Sequence, residues 1–147
     1  MIDQAGIMMA QGLGTASERI QGVNDNMSQS HYHEYFEIYY LEAGERFHMV
    51  EDQLYHMEQG EFMIFPPYVM HHSYGEKNVP FKRLVLYFTP EEVLWPSILT
   101  ELKEEIGVYQ VDIRERQEIH RLMEILLKEQ NNPGLHHDEF NQGIINV

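Results

Sequence analysis

The spacing of polar residues between His31 and His71 constrains the fold of this chain more than any other feature. The residues occur as His31-x-His33-x3-Glu37 and, after Gly60 and Pro66, His71. Successive side chains of an extended strand point to opposite faces, so His31, His33 and Glu37 would share one face. A small β-barrel could direct these side chains, with His71 from a later strand, towards one interior point. The spacing therefore predicts a polar pocket inside a barrel.

Composition excludes several classes of protein. A chain of 147 residues with 43% hydrophobic residues is sufficient for one globular domain. Its net charge of −14 disfavours direct contact with nucleic acid or with an anionic membrane. Because cysteine is absent, disulfides, thiol nucleophiles and cysteine-ligated zinc are excluded. No apolar run approaches the ~20 residues of a membrane span, and no basic segment precedes Arg19. We expect a cytoplasmic protein without membrane contact.

Three segments differ in pattern. Residues 1–30 are rich in Gly, Ser, Gln and Asn without periodicity, and we interpret them as an N-terminal arm with at most one short strand. Residues 31–88 carry closely spaced runs of aromatic and β-branched residues, a pattern typical of a sandwich or barrel. Residues 89–147 show helical periodicity.

The signals within residues 89–147 predict two or three helices. Thr89 followed by Pro90 suits the start of the first helix, which closes before Gly107. Asp112 caps a second helix, whose apolar stripe includes Leu122, Met123 and Leu126, and a last helix begins near Asp138. The stripe of the second helix suits either packing on the barrel or a dimer interface. The pattern is unfinished at Val147, and we expect a further segment C-terminal to it.

The spacing of these motifs resembles that of the cupins. His31-x-His33-x3-Glu37-x6-Gly44 matches the first cupin motif in full. Gly60, Pro66 and His71 match the second, although Tyr68 stands where that motif has glycine. The sequence is also similar to the N-terminal sensor domain of AraC/XylS transcription regulators. The similarity lies in His31–Gly44, in the run Gly60-Glu-Phe-Met-Ile-Phe-Pro-Pro and in the stretch 81–88. The resemblance covers about residues 31–147.

This resemblance implies a mainly β fold, a cupin double-stranded β-helix or jelly-roll barrel followed by two to three helices. It implies an effector-sensing, dimerising regulatory domain, which is not an enzyme and binds a small molecule such as a sugar. DNA contact would belong to a C-terminal helix-turn-helix domain that this chain lacks, and the helical segment 89–147 would serve dimerisation. The expected ligand-binding residues are His31, His33, Tyr35, Glu37, Tyr39, His71 and Arg83.

Whether the pocket holds a metal is left open by the sequence. His31, His33, Glu37 and His71 are suitable ligands for one divalent transition metal: zinc, nickel, iron or manganese. The same residues could instead be only the wall of a sensor pocket. If they hold a metal, the alternative function is a stand-alone metal-dependent cupin enzyme of the sugar isomerase or dioxygenase type. Arg46 and Arg83 are further groups that could pair with an anionic ligand, or with carboxylates of the protein itself.

Overall fold

Two antiparallel sheets form the body of the molecule in a computed structural model that describes residues 3–23, 31–76, 78–104 and 106–147. One sheet has the strand order β1-β7-β2-β5-β8 and the other has the order β4-β3-β6. The elements are α1 (Gln4–Ala10), β1 (Thr15–Val23), β2 (Phe36–Ala43), β3 (Glu45–Val50), β4 (Gln53–Glu58), β5 (Phe62–Phe65), β6 (His71–Tyr74), β7 (Pro80–Phe88), α2 (Pro96–Glu104), β8 (Gly107–Tyr109), α3 (Ile113–Asn131) and α4 (His137–Ile145).

The alternation of side chains along the strands of the larger sheet creates two apolar cores. On β7, Val85 and Tyr87 face the barrel interior, whereas Leu84 and Leu86 face the helices. The interior core lies between the two sheets, and the second core lies between the larger sheet and the C-terminal helices. The strands therefore determine which polar side chains enter the barrel.

The stripe of α3 packs on the barrel. Met123 and Leu126 are buried in the second core. Asp112 caps this helix as predicted, since its carboxylate accepts hydrogen bonds from the backbone N–H groups of Arg114 and Glu115. Met123 and Leu126 therefore pack on the barrel, and dimerisation through this helix stays a prediction.

The segment that we interpreted as an arm contains regular structure. Thr15–Val23 forms β1, which pairs with β7 along its whole length, and Gln4–Ala10 forms the short helix α1. Residues 1–2 and 24–30 of that segment lie outside the described residues. The hydrogen bonds with β7 supply the order that the composition of this segment does not predict.

The helix start predicted at Thr89 is wrong. Pro90–Glu92 forms a single 3-10 turn, Thr89 makes no side-chain capping bond, and α2 begins at Pro96. A second proline in the chain explains the interruption: Pro96 disfavours helical geometry for the residue before it, so a helix from Pro90 could not run through Trp95.

Gly44 connects the two sheets where β2 passes into β3. Its φ of +88° lies in the left-handed region, and a Cβ atom there would be 2.3 Å from the carbonyl oxygen of Pro80. A side chain is excluded both by the backbone conformation and by the neighbouring strand. Among the described residues, no helix has the length and hydrophobicity needed to cross a bilayer.

Candidate functional site

His31 and His71 are joined through their backbones. Each N–H donates to the other residue's carbonyl oxygen at 2.9 Å, forming an isolated antiparallel bridge. The two imidazole rings consequently lie 4.4 Å apart, centroid to centroid. This bridge corrects the prediction that His31, His33 and Glu37 share the face of one strand, because β2 begins only at Phe36. The side chains converge because the bridge holds the segment that precedes β2 against His71.

Glu37 lies at the centre of the cluster and is almost fully buried. One of its carboxylate oxygens, Oε1, lies 3.1 Å from Nε2 of His33 and 3.5 Å from Nε2 of His71. The ligand atoms of His31, His33 and His71 all lie within 4.8 Å of one another. The structure therefore brings together the four residues that the sequence selected as metal ligands.

The other ring nitrogens of His33 and His71 contact backbone carbonyls. Nδ1 of His33 lies 2.9 Å from the oxygen of Tyr35, and Nδ1 of His71 lies 3.0 Å from that of Val69. Because a carbonyl oxygen only accepts, each Nδ1 carries the proton and donates. In a neutral ring the lone pair of Nε2 then points towards the Glu37 carboxylate, and the two groups repel each other. Each Nε2 is therefore suited to carry a second proton or to bind a cation, and carbonyl-oriented histidines of this kind are typical of metal sites.

Electrostatic effects shift the pKa values of Glu37, His71 and His31 in different directions. Burial opposes the charged form of Glu37, but hydrogen bonds from His33 and His71 hold the pKa of its carboxyl well below the usual value. For His71, burial is outweighed by Glu37, so its pKa is raised. Burial and the neighbouring His71 lower the pKa of His31 to about 4. The imidazole of His31 is therefore neutral at pH 7 and has a lone pair available for a ligand.

Aromatic rings stack on two members of the cluster, whereas His31 is exposed. Tyr35 stacks on His33 with centroids 4.1 Å apart, and Phe65 stacks on His71 at 4.3 Å. Tyr35 also borders a groove of about 470 Å³, together with Met9, Pro67, Tyr68, Pro90 and Lys103. The groove provides space for a small molecule beside the cluster.

Tyr68, which replaces the glycine of the second cupin motif, retains the backbone that glycine favours. Its φ is +65°, and its N–H donates to the carbonyl oxygen of His33 at 2.8 Å. The hydrogen bond holds this left-handed conformation in place, at a cost of roughly 1 kcal/mol for a residue with a side chain. The substitution thus leaves the turn beside His33 intact.

The remaining predicted site residues lie deeper in the barrel. Tyr39 is buried on the inward face of β2, and the Arg83 guanidinium lies 5.6 Å from the centroid of its ring. Sequence reasoning missed His48, which is completely buried in the same interior. The signal was the alternation Arg46, His48, Val50 along β3, which places two polar residues on the face of a core valine.

A second group of possible metal ligands joins the barrel to α3. Glu42, His120 and Glu124 lie close enough to share an ion. The Arg19 guanidinium, however, donates to both oxygens of Glu42 at 2.8 and 3.0 Å and also contacts Glu124. Because the Arg19 guanidinium already pairs with both carboxylates, the arrangement is that of a structural ion-pair network.

Comparison with known proteins relates this geometry to a family. The model of the AraC-like ligand binding domain matches residues 19–143. A solved cupin protein from Bacteroides fragilis is similar in fold, with a TM-score of 0.51 and 15% identity over 67% of this chain and 80% of that one. An RmlC-like cupin protein from Methanocaldococcus jannaschii gives a TM-score of 0.47 and 17% identity over 51% and 70% of the two chains. No curated protein matches this sequence. The predicted cupin fold is confirmed.

Proposed function

Because the chain belongs to the family of AraC-like ligand-binding domains, we propose that it is the effector-sensing, dimerising domain of a cytoplasmic AraC-family transcription regulator. The small-molecule effector, a sugar or sugar-like compound, binds in the barrel against His31, His33, Glu37 and His71. The observation that carries this proposal is the convergence of three imidazoles and a buried carboxylate beside the groove at Tyr35. DNA contact belongs to a helix-turn-helix domain C-terminal to this chain.

A bound divalent metal is part of the proposal. His31, His33, Glu37 and His71 would hold zinc, nickel, iron or manganese, and the metal would supply a Lewis-acidic centre for an oxygen of the effector. The orientation of His33 and His71 by backbone carbonyls supports this assignment. In both residues this orientation directs Nε2 towards the carboxylate of Glu37, which would be a ligand of the same metal. The rings of Tyr35 and Phe65 each cover one face of an imidazole, that of His33 and that of His71.

Strand β2 offers a physical connection from the pocket to the helices. Its inward residues Glu37 and Tyr39 face the pocket, whereas Tyr40 and Glu42 face α3. The ring of His120 on α3 lies 4.8 Å from that of Tyr40, and its Nε2 lies 2.8 Å from Glu42. A ligand that binds one arrangement of β2 more tightly than another shifts the position of α3, and hence the dimer.

The experiment is effector-dependent transcription by the full-length regulator. A thermal-shift screen over sugars and metals first identifies the effector, because a ligand of the folded state raises its stability. His33→Ala then abolishes the response and weakens effector binding at least tenfold. His72→Ala is the matched control, since His72 neighbours His71 and faces away from the interior core, and it leaves the response unchanged. An unchanged response and affinity in His33→Ala would contradict the proposal.

A stand-alone metal-dependent cupin enzyme is the second candidate, and the carbonyl-oriented histidines favour it equally. The fate of the bound molecule discriminates between the two functions. A sensor returns its effector chemically unchanged after prolonged incubation with metal-loaded protein, whereas an enzyme converts it. Mass spectrometry of the recovered molecule measures the difference.

A further inference from the structure

The groove beside the histidine cluster is formed by loops and helices. Every residue that lines it lies outside the strands: on α1, before β2, between β5 and β6, in the segment 89–91 after β7, or on α2. Its volume of about 470 Å³ lies within the range of roughly 300 to 1,000 Å³ that is typical of small-molecule sites. Tyr35 lines the groove and stacks on His33, so a molecule bound there would lie next to the cluster.

Tyr68 is an unusual residue of this groove. Its φ of +65° lies in the left-handed region, at the position where the second cupin motif has glycine. Its side chain is 66% exposed, so burial of the ring does not offset the cost of this conformation. Residues held in such sparsely populated conformations cluster at ligand-binding sites. The exposed ring of Tyr68 is therefore in a position to contact a bound molecule.

Acidic side chains determine the charge of the groove. Glu34 and Glu91 line it and are exposed, and Lys103 on α2 contributes one opposing charge. No ion pair joins Lys103 to either carboxylate within the described ranges. Two carboxylates and one ammonium group leave an excess of one negative charge. Because the faces of aromatic rings also attract cations, the groove favours a positively charged ligand.

We propose that the groove binds the ammonium group of a small amino alcohol or amino sugar. The rings of Tyr35 and Tyr68 would contact the cation, and the carboxylates of Glu34 and Glu91 would balance its charge. The inference rests on the proposed function, because it assigns a chemical class to the effector whose hydroxyl groups meet the cluster. It adds Glu34, Tyr68 and Glu91 to the residues of the site.

The expected selectivity for a cation is moderate. Because both carboxylates are exposed, water and salt screen their attraction for a bound ammonium group. The net charge of −14 attracts cations to the whole surface without selecting one site. Only the groups of the groove itself can supply selectivity. We therefore expect effects of about fivefold, and each variant of the groove is compared with a change at an acidic residue elsewhere.

Choline and 3,3-dimethylbutan-1-ol are matched probes for this groove, because they have the same shape and differ in charge. Binding is followed by NMR of ¹³C-labelled methionine methyl groups. The signal of Met9, which lines the groove, is assigned by its loss in Met9→Leu. Choline should shift this signal saturably, with an affinity at least fivefold higher than that of the neutral alcohol. Equal affinities, or no shift with choline, would overturn the proposal.

Tyr68→Gly tests the aromatic ring and restores the glycine of the cupin motif. Glycine adopts a positive φ without steric cost, so the variant should unfold at the same temperature as the unaltered chain or at a higher one. It should bind choline at least fivefold more weakly. Glu51→Gly is the matched control, because Glu51 is exposed, has a φ of 54° and lies between β3 and β4, outside the groove. Equal choline affinities in the two variants would assign the binding to the net charge of the surface and refute the proposal.

The double variant Glu34→Gln/Glu91→Gln tests the charge of the groove. It should lower the preference for choline over the neutral alcohol at least twofold, because the ammonium group loses both of its counter-charges. Glu51→Gln, which removes a carboxylate outside the groove, should retain the full preference. An unaltered preference in the double variant would contradict the inference.

His33→Ala separates this inference from the proposed function. The variant should bind choline within threefold of the unaltered chain, because it keeps the backbone carbonyl that accepts the N–H of Tyr68. If the transcriptional response survives His33→Ala while choline still shifts Met9, the proposed function fails and the ammonium site stands. If His33→Ala abolishes the response but choline never shifts Met9, the ammonium site fails and the proposed function stands.

Discussion

His48 makes the stability of the molecule sensitive to acid through its position in the barrel. Burial first, and then the positive charges of His71, Arg46 and Arg83, lower the pKa of its imidazole to about 3, although Glu37 opposes the shift. In the unfolded chain the group titrates near its ordinary value of 6.5. Between these two pKa values the unfolded chain binds a proton at His48 that the folded chain excludes. The free energy of unfolding therefore falls as the pH falls from the unfolded pKa towards the folded one.

Replacing His48 by phenylalanine should remove this sensitivity. Between about pH 6.5 and about pH 5, the free energy of unfolding of the metal-free chain should fall by about 1 to 2 kcal/mol less in His48→Phe than in the unaltered chain. Urea unfolding at the two pH values measures the difference. His72→Phe, on the outer face of β6, is the control and should keep the original dependence. The same pH dependence in His48→Phe would show that His48 is not the responsible group.

Gly44 permits a prediction from shape alone. Gly44→Ala should destabilise the fold by roughly 3 kcal/mol or more, because its Cβ meets the backbone of Pro80 and Phe81 as well as adopting a positive φ. Gly12→Ala provides the control, since its φ is +95° but no atom lies within 4 Å of the added Cβ. It should cost only about 1 kcal/mol. Equal losses in chemical unfolding would show that steric contact at Gly44 is unimportant.

Helix α3 is attached to the barrel by both apolar and ionic contacts. Met123 and Leu126 fill the second core, and Arg19 of β1 joins Glu42 of β2 to Glu124 of the helix. The side chain of Glu42 is only 8% exposed. Burial disfavours its charge, but the hydrogen bonds from Arg19 and His120 lower the pKa of its carboxyl below the usual value. The helix is thus fixed to the strand that also carries Glu37 and Tyr39.

Arg19→Gln should destabilise the chain by about 1 to 3 kcal/mol, because it leaves the Glu42 carboxylate without its main counter-charge. Arg121→Gln is a matched control: it breaks the pair with Glu118, both of whose side chains are 59% exposed, and should cost less than about 0.5 kcal/mol. Urea unfolding at neutral pH compares the two variants. If they lose the same stability, the network around Glu42 does not secure α3.

Helices and strands could be predicted from the sequence where a local pattern determines them. They could not be predicted where pairing with a distant strand determines them. The cap at Asp112 is local, and it was predicted correctly. β1 depends on its pairing with β7, and the convergence of His31 with His71 depends on a backbone bridge across 40 positions of sequence. The alternation along β3 placed His48 on the buried face, but its aromatic neighbours lie on other strands and could not be identified from the sequence. Register cannot be obtained from one sequence.

At the scale of the whole molecule, the apolar interior of the barrel contains buried polar side chains, and β2 connects this interior to the helices. The cluster of His31, His33, Glu37 and His71 lies at one end of that interior, and Arg46 and Arg83 lie at the other. The proposed response to a small molecule requires that this cluster acts as one binding centre.

The metal content of tag-free protein tests that claim most directly. After supplementation with zinc or manganese and exhaustive dialysis at neutral pH, elemental analysis should find about one metal ion per chain, as expected for four converging ligands. His33→Ala should lose the ion, and His72→Ala, next to the cluster but outside it, should retain it. A metal-free unaltered chain, or retention by His33→Ala, would contradict the account.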